Sequence, residues 1–190
     1  MNAHAEMTSA ATETARIVAG VAPGQLADPT LCTDWDVRAL LNHIILWTAY
    51  SAEQRAYGGS VAEELMSKDF AADPGFADDY AAQVGKALAA WSDQAAWDRE
   101  LNVMGSATPA ADVAGLLIAE TVLHGWDLAV ATGQKYRCDD ATAAVVLRAV
   151  AAQAELYRQY QGFADPVTVA DDAPDFDRAL ALSGRDPAKS

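Results

Sequence analysis

The sequence predicts an all-α protein, an up-and-down four-helix bundle with additional short helices. Apolar residues recur at the three-and-four spacing of a helix face through most of the chain. Turn signals at Pro23-Gly24, Gly58-Gly59 and Asp73-Pro74-Gly75 divide these stretches into helix-sized pieces. Alanine-rich runs such as ATAAVVLRAVAAQA favour helix, and no segment reads as a confident strand. The 190 residues are long enough to bury one sizeable core. A single domain is therefore expected over 1–190, with a core bundle over about 5–165 and a C-terminal tail over 166–190.

Each element follows from local signals. A first helix is expected from about Ala5 to Val21, stopping before Pro23-Gly24. The loop containing DPTLCTDW leads to Asp36, a good N-cap residue. The second helix then runs through Val37, Leu40, Ile44 and Trp47 toward Tyr57, and Gly58-Gly59 ends it. Residues 61–76 are mixed, and a third helix spans about Ala77 to Trp91. The stretch 97–107 reads as an irregular connector. Thr108-Pro109 opens the fourth helix, with Thr as cap and Pro at the first helical position. Its inward stripe is Val113, Leu117, Glu120, His124 and Leu128, and Gly133 closes it. Asp139 and Asp140 cap a fifth helix that passes Val145, Leu147, Val150 and Leu156 to about Tyr160. Beyond Gly162 the chain is rich in Pro and Asp, and PDFDRALALSGRDP suggests one short helix before a loose end.

Composition narrows the function. The net charge is −14, with 13 basic residues scattered among 27 acidic ones, so a nucleic-acid partner is not expected. No uninterrupted apolar run reaches membrane-spanning length, and the mean hydropathy of −0.01 is that of a soluble chain. The N-terminus shows no basic leader followed by an apolar stretch, so a cytoplasmic location is expected. Cys32 and Cys138 lack CxxC spacing and read as structural or inert thiols.

The chemistry concentrates on two of the three histidines. His124 follows Glu120 by one helical turn, so both project from one face. His43 sits between Leu40 and Trp47 on the apolar stripe of the second helix. Two His and one Glu with open positions form a known catalytic zinc set. Polar residues on a core-facing stripe are costly unless satisfied, and a metal ion satisfies all three. Asp127 shares the face of Glu120 and His124 and suits the role of orienting a ligand imidazole through its ring N–H. Spacing alone also accommodates a simple Glu–His hydrogen bond beside a satisfied core histidine. His4 falls in a stretch expected to fray, with no role.

Other conspicuous residues carry two readings each. Trp47 and Trp126 either line a pocket beside the ligands or pack in the core, and Trp91 and Trp97 fill core or groove. Trp35 is expected to staple the entry to the second helix. Arg38 and Arg55 either greet an anion or decorate solvated faces. No GxSxG or P-loop pattern is present, and no residue is assigned a catalytic or cofactor-binding role beyond the metal set.

The strings LCTDWDVRALLNHI, ETVLHGWDLAVATG and FDRALALSGRDP, in this order, resemble the actinobacterial metal-binding proteins related to mycothiol-dependent maleylpyruvate isomerase, in the DinB/YfiT-like superfamily. The resemblance covers nearly the whole chain. It implies a four-helix bundle holding a divalent metal, most often zinc with nickel or iron as alternatives, through His43, Glu120 and His124. Asp127 matches an acidic position after the last histidine. The implied function is a metal- and thiol-dependent S-transferase or isomerase-like reaction, in which the thiolate of mycothiol or bacillithiol attacks an electrophilic small molecule. A thiol and a small electrophile would be the partners, and a homodimer is compatible with the resemblance. The isomerase proper carries a further C-terminal domain, whereas this chain ends soon after the bundle, so S-transfer is favoured over isomerisation. Nine arginines against four lysines, with abundant alanine, suit a GC-rich, mycothiol-producing source. Two rival readings are a non-catalytic metal- or small-ligand-binding stress protein and a metal-hydroxide hydrolase.

Overall fold

Helix α1 (His4–Ala19) forms because Met7, Ala10, Ala11, Thr14, Ile17 and Val18 fall on one buried face. The computed structural model describes residues 2–103 and 105–189. Asp36 caps α2 (Val37–Ile44), its carboxylate accepting from the Ala39 amide at 2.8 Å, as expected. The helix continues through a π-helical stretch (Ile45–Ser51) into α3 (Ala52–Ala56). After α4 (Phe76–Trp91) come α5 (Gln94–Trp97) and a hairpin of β1 (Glu100–Val103) and β2 (Ser106–Pro109). The chain finishes with α6 (Ala110–Ala131), α7 (Asp140–Gln159) and α8 (Asp175–Leu182). Asp139 caps α7 through the Thr142 amide at 2.9 Å, again as expected.

Four helical rods make the bundle. Helix α1 packs on α4 and α6, and the α2–α3 rod packs on the same two. The first and second rods therefore face each other across the bundle's diagonal. The chain must cross one end of the bundle to connect them, and residues 20–36 do so. Helix α7 lies outside against α6 and α1, and α8 covers α7.

Helix α6 is the hub. By length and composition it is apolar enough to cross a membrane, but in this fold it is the core helix, buried on nearly all sides from Ala110 to Ala129. Its Ile118 and Trp126 cluster with Trp91, Val146 and Leu180 on one side. Its Leu128 clusters with Ile17, Leu40, Leu41, Ile44 and Tyr80 on the other.

The structure corrects four local expectations. The stretch 97–107 is not an irregular connector: it ends α5 and then forms the hairpin, with Leu101 opposite Thr108 and Val103 opposite Ser106. Leu101 is buried between exposed Glu100 and Asn102, an alternation too short to stand out in the sequence. Met104, within that stretch, lies outside the described residues. Thr108 consequently belongs to β2 and does not cap α6, which begins at Ala110 with Pro109 as its flanking residue. His4 is not idle at a frayed end, because its Nε2 lies 2.9 Å from the Leu88 carbonyl. The segment beyond Gly162 is anchored, since Ala179, Leu180 and Ala181 are buried and the Val167 amide donates to the Ala181 carbonyl at 2.9 Å.

One close approach holds α6 to α1. A Cβ at Gly125 would lie 2.5 Å from Thr14 Oγ1 and 2.6 Å from Tyr136 Cε2, and Thr14 and Tyr136 hydrogen-bond at 3.0 Å. Alanine in an open helix gains about 1 kcal/mol over glycine, whereas overpacking a core costs about 1–3 kcal/mol. The clash therefore wins. Gly125→Ala is expected to lower the urea midpoint, by about 1–2 kcal/mol of stability. An unchanged or raised midpoint would show that the two helices part without cost.

Candidate metal centre

Glu120 and His124 stand one turn apart on α6, and His43 occupies the last turn of α2, which packs on α6. His43 Nε2 lies 2.5 Å from Glu120 Oε1, and His124 Nε2 lies 3.6 Å from the same oxygen. The two imidazole rings meet edge to face at 4.7 Å between centroids. All three donor atoms fall within 4.8 Å of one another. The structure thus brings together the three residues that the sequence singled out. The π-helical stretch starts two residues after His43, and such wide turns recur at functional sites because they shift a helix's register locally.

Asp127 lies behind His124. Its Oδ2 accepts from His124 Nδ1 at 3.1 Å, so the imidazole's other nitrogen faces Glu120 and His43. Asp127 is 1% exposed, and a buried carboxylate demands a partner. Arg185 supplies it in a bidentate clasp, Nε to Oδ1 at 2.8 Å and Nη2 to Oδ2 at 2.7 Å. Its Nη1 also donates to Ser183 Oγ at 3.0 Å. Local sequence aims this arginine. Helix α8 ends at Ser183, and Gly184 takes the left-handed conformation (φ 85°). The amides of Gly184 and Arg185 then cap the carbonyls of Ala181 and Leu180, the Schellman arrangement, which turns Arg185 back toward α6.

The crossover loop closes the site from above. Trp35, at the entry to α2, packs against the core cluster of Val37, Leu40 and Leu41, and its ring also lies 4.5 Å from that of His43 and 5.9 Å from that of His124. Cys32, read as inert from the sequence, sits against the site: its Sγ is 4.0 Å from His124 Nδ1 and donates to Asp127 Oδ2 at 3.4 Å. Cys138 fits the inert reading, since burial and the neighbouring Asp139 and Asp140 carboxylates push its thiol up to about 12. Trp47 lines a groove with His43, whereas Trp126 is core, as are Trp91 and Trp97, which stack edge to face at 5.0 Å. Arg38 and Arg55 are engaged elsewhere, on Asp69 at 2.7 Å and on the Asn102 carbonyl at 2.7 Å.

The electrostatics are those of a compact ion cluster. Burial pushes the Glu120 carboxyl upward, but the charge on His124 and the hydrogen bond from His43 outweigh it and hold the group at about 2. Burial would lower His124, yet the Glu120 charge and the Asp127 hydrogen bond raise it to about 10. Asp127 resists burial through the Arg185 charge and the His124 hydrogen bond and also sits at about 2.

Two imidazole nitrogens and one carboxylate oxygen suit a divalent ion, and the Asp127 hydrogen bond leaves His124 Nε2 free to ligate once its proton departs. Cys32, His124 and Asp127 form a second close group of ligand-type atoms. It suits a cation poorly, because the Arg185 guanidinium already occupies both Asp127 oxygens. Three hollows meet at the His43–Glu120–His124 group. A groove of about 860 Å³ runs past Cys32, Trp35 and His124; one of about 390 Å³ passes His43 and Trp47; a pocket of about 170 Å³ opens on Glu120 and His124. The site is therefore reachable as well as built.

Stability of the chelator-treated protein should follow this cluster. His124 is raised from 6.5 to about 10, so its contribution is complete below pH 6.5 and is lost as pH rises through about 10. Glu120, lowered from 4.5 to about 2, contributes above pH 4.5 and loses this as pH falls through about 2, and Asp127 behaves alike from 3.8. Urea midpoints are expected to be flat between pH 4.5 and 6.5 and to fall on both sides. A midpoint that climbs steadily from pH 6.5 to 10 would contradict the cluster. Arg185→Met should cost about 3–5 kcal/mol at pH 6, because it strands a buried carboxylate; a loss below 1 kcal/mol would show that Asp127 finds another partner.

Residues 7–129 match the family described as the mycothiol maleylpyruvate isomerase N-terminal domain. Two uncharacterised proteins from two strains of Mycobacterium tuberculosis are each 27% identical to this chain over 188 residues, covering 90% of it and 91% of the relative. Among solved structures, the crystal structures of the mycothiol-dependent maleylpyruvate isomerase and of its histidine-to-alanine variant superpose with a TM-score of 0.63 at 17% identity. They cover 89% of this chain and 75% of theirs. The helical fold is thus shared, and the matched segment holds His43, Glu120, His124 and Asp127 together. With most of its length matched, the chain belongs to the mycothiol maleylpyruvate isomerase N-terminal domain family.

Proposed function

We propose that this chain is a divalent-metal-binding enzyme that uses a low-molecular-weight thiol, mycothiol, to attack an electrophilic small molecule, as an S-transferase or isomerase-like catalyst. The observation that carries the reading is the convergence of His43, Glu120 and His124 on one reachable point. Zinc is the leading ion, being content with imidazole, carboxylate and thiolate together, and nickel and iron accept the same donors. A divalent ion held there supplies Lewis acidity, which deprotonates a thiol that reaches it. The unit that does this is the whole chain, with the bundle over about 5–165 providing the donors and the tail over 166–190 providing Arg185.

The chain's own residues prepare the site for a thiolate. Asp127 and Arg185 neutralise each other while fixing the His124 ring. Glu120 contributes the one unbalanced negative charge among the donors, so a divalent ion leaves one positive charge over. A single thiolate would balance it, which makes an anionic thiol an acceptable occupant of the open position. The large groove beside His124 is polar as well as roomy, carrying Arg158 and Lys189 opposite Asp34 and Asp165, and suits a hydrophilic thiol. Trp35 and Trp47 flank the His43 ring and give that side of the site an apolar border. Small molecules are the partners named here, since a net charge of −14 repels nucleic-acid phosphates.

Two measurements test this. Loading should exchange a proton for the ion at His124, so zinc affinity should strengthen about tenfold per pH unit between pH 6.5 and about 10. Asp127→Asn should weaken that affinity by about 10–100-fold. Zinc-loaded protein should conjugate mycothiol to monochlorobimane well above background, and both chelation and His124→Ala should abolish the excess. Equal rates with chelated and loaded protein would remove the transferase reading.

A further inference from the structure

The pocket of about 170 Å³ that opens on Glu120 and His124 differs in character from the large groove. Its walls are Leu116, Ala119 and Leu123 from α6, Val150 and Tyr157 from α7, and Phe163 from the following loop. Tyr157 and Phe163 form a tilted aromatic pair with centroids 4.9 Å apart on one side of it. An apolar cavity of about 150 Å³ holds one benzene ring, so this space matches a single small ring or a short branched chain. Ala149 on α7 also lines it, opposite the α6 residues.

The charges bordering the pocket decide what enters. The Glu120 carboxylate is engaged by His43 and His124, at 2.5 and 3.6 Å, and offers an anion nothing in the metal-free protein. Arg185 reaches the same pocket, but both faces of its guanidinium fork are held, by Asp127 at 2.7 and 2.8 Å and by Ser183 at 3.0 Å. No second arginine or lysine borders it among the described residues. Without a bound ion, a dicarboxylate would therefore meet no uncommitted cation, and its desolvation would go unrepaid.

We infer that this pocket is the electrophile's seat and selects a compact, uncharged, apolar molecule, an aromatic or branched aliphatic group of about one ring, over an anionic one. The inference rests on the proposed thiol chemistry for the word electrophile, but the pocket's selectivity does not. The large groove and the small pocket both border His124, so a hydrophilic thiol in one and an apolar partner in the other reach the same point. Phe163 and Arg185 border both hollows.

Ligand-observed fluorine NMR tests the selectivity directly, using 4-fluorobenzyl alcohol as the neutral probe and fluorosuccinate as the dianion, on zinc-loaded and chelated protein. The neutral probe should bind both forms, and in the chelated protein, where no bound ion offers a free positive charge, at least tenfold tighter than the dianion. Ala119→Leu, which fills the pocket, and Phe163→Ala, which removes one of its aromatic rings, should each weaken it by fivefold or more, with helical circular dichroism and zinc affinity retained. Equal or tighter binding of the dianion by the chelated protein, no binding of either probe, or indifference to both variants would overturn the inference. Because neither probe needs metal or thiol, a protein that binds the alcohol but gives no thiol conjugation keeps the pocket and loses only the transferase reading.

Discussion

Asp127 buried beneath His124 is the constraint around which the rest of this structure is arranged. A carboxylate at 1% exposure in the last turns of the most apolar helix would be strongly unfavourable alone. The Arg185 fork removes that penalty and fixes both oxygens. With its geometry set, Asp127 can determine which way the His124 imidazole faces, and through it where Glu120 and His43 converge. The C-terminal segment is therefore a working part of the site, although it lies 58 residues from Asp127 in sequence.

The bundle topology serves the same end. Because the first two rods are diagonal, their connection crosses the end of the bundle that holds His43, Glu120 and His124. That crossing sets Trp35 on His43 and Cys32 against Asp127. A sequential arrangement of rods would leave a short turn at the rim and the site open to water. Helix α6 meets two demands at once. Its apolar residues hold both halves of the core, while Glu120, His124 and Asp127 share one strip facing α2 and the C-terminal segment.

Much of this was legible in the sequence, for identifiable reasons. The long helices were readable because amphipathic period and caps agreed, as at Asp36 and Asp139. Glu120, His124 and Asp127 were readable as a group because helical spacing fixes their common face. His43 could be placed on an inward stripe, but its meeting with Glu120 depends on how two rods pack, which no local pattern encodes. The hairpin was hidden by strands of four residues, too short for alternation to register. Arg185 was missed for a different reason: its role depends on Gly184, which turns the chain after α8, and on a partner far away in sequence. A glycine closing an amphipathic helix and followed by an arginine was the available signal.

The central claim is that one divalent ion sits among His43, Glu120 and His124. Crystals of the zinc-titrated protein, measured with X-rays at the zinc absorption edge, test it most directly. The account predicts one anomalous peak per chain, about 2.0–2.2 Å from His43 Nε2, His124 Nε2 and a Glu120 carboxylate oxygen. A peak between Cys32 and Asp127, or none in protein shown to have been exposed to excess zinc, would contradict it.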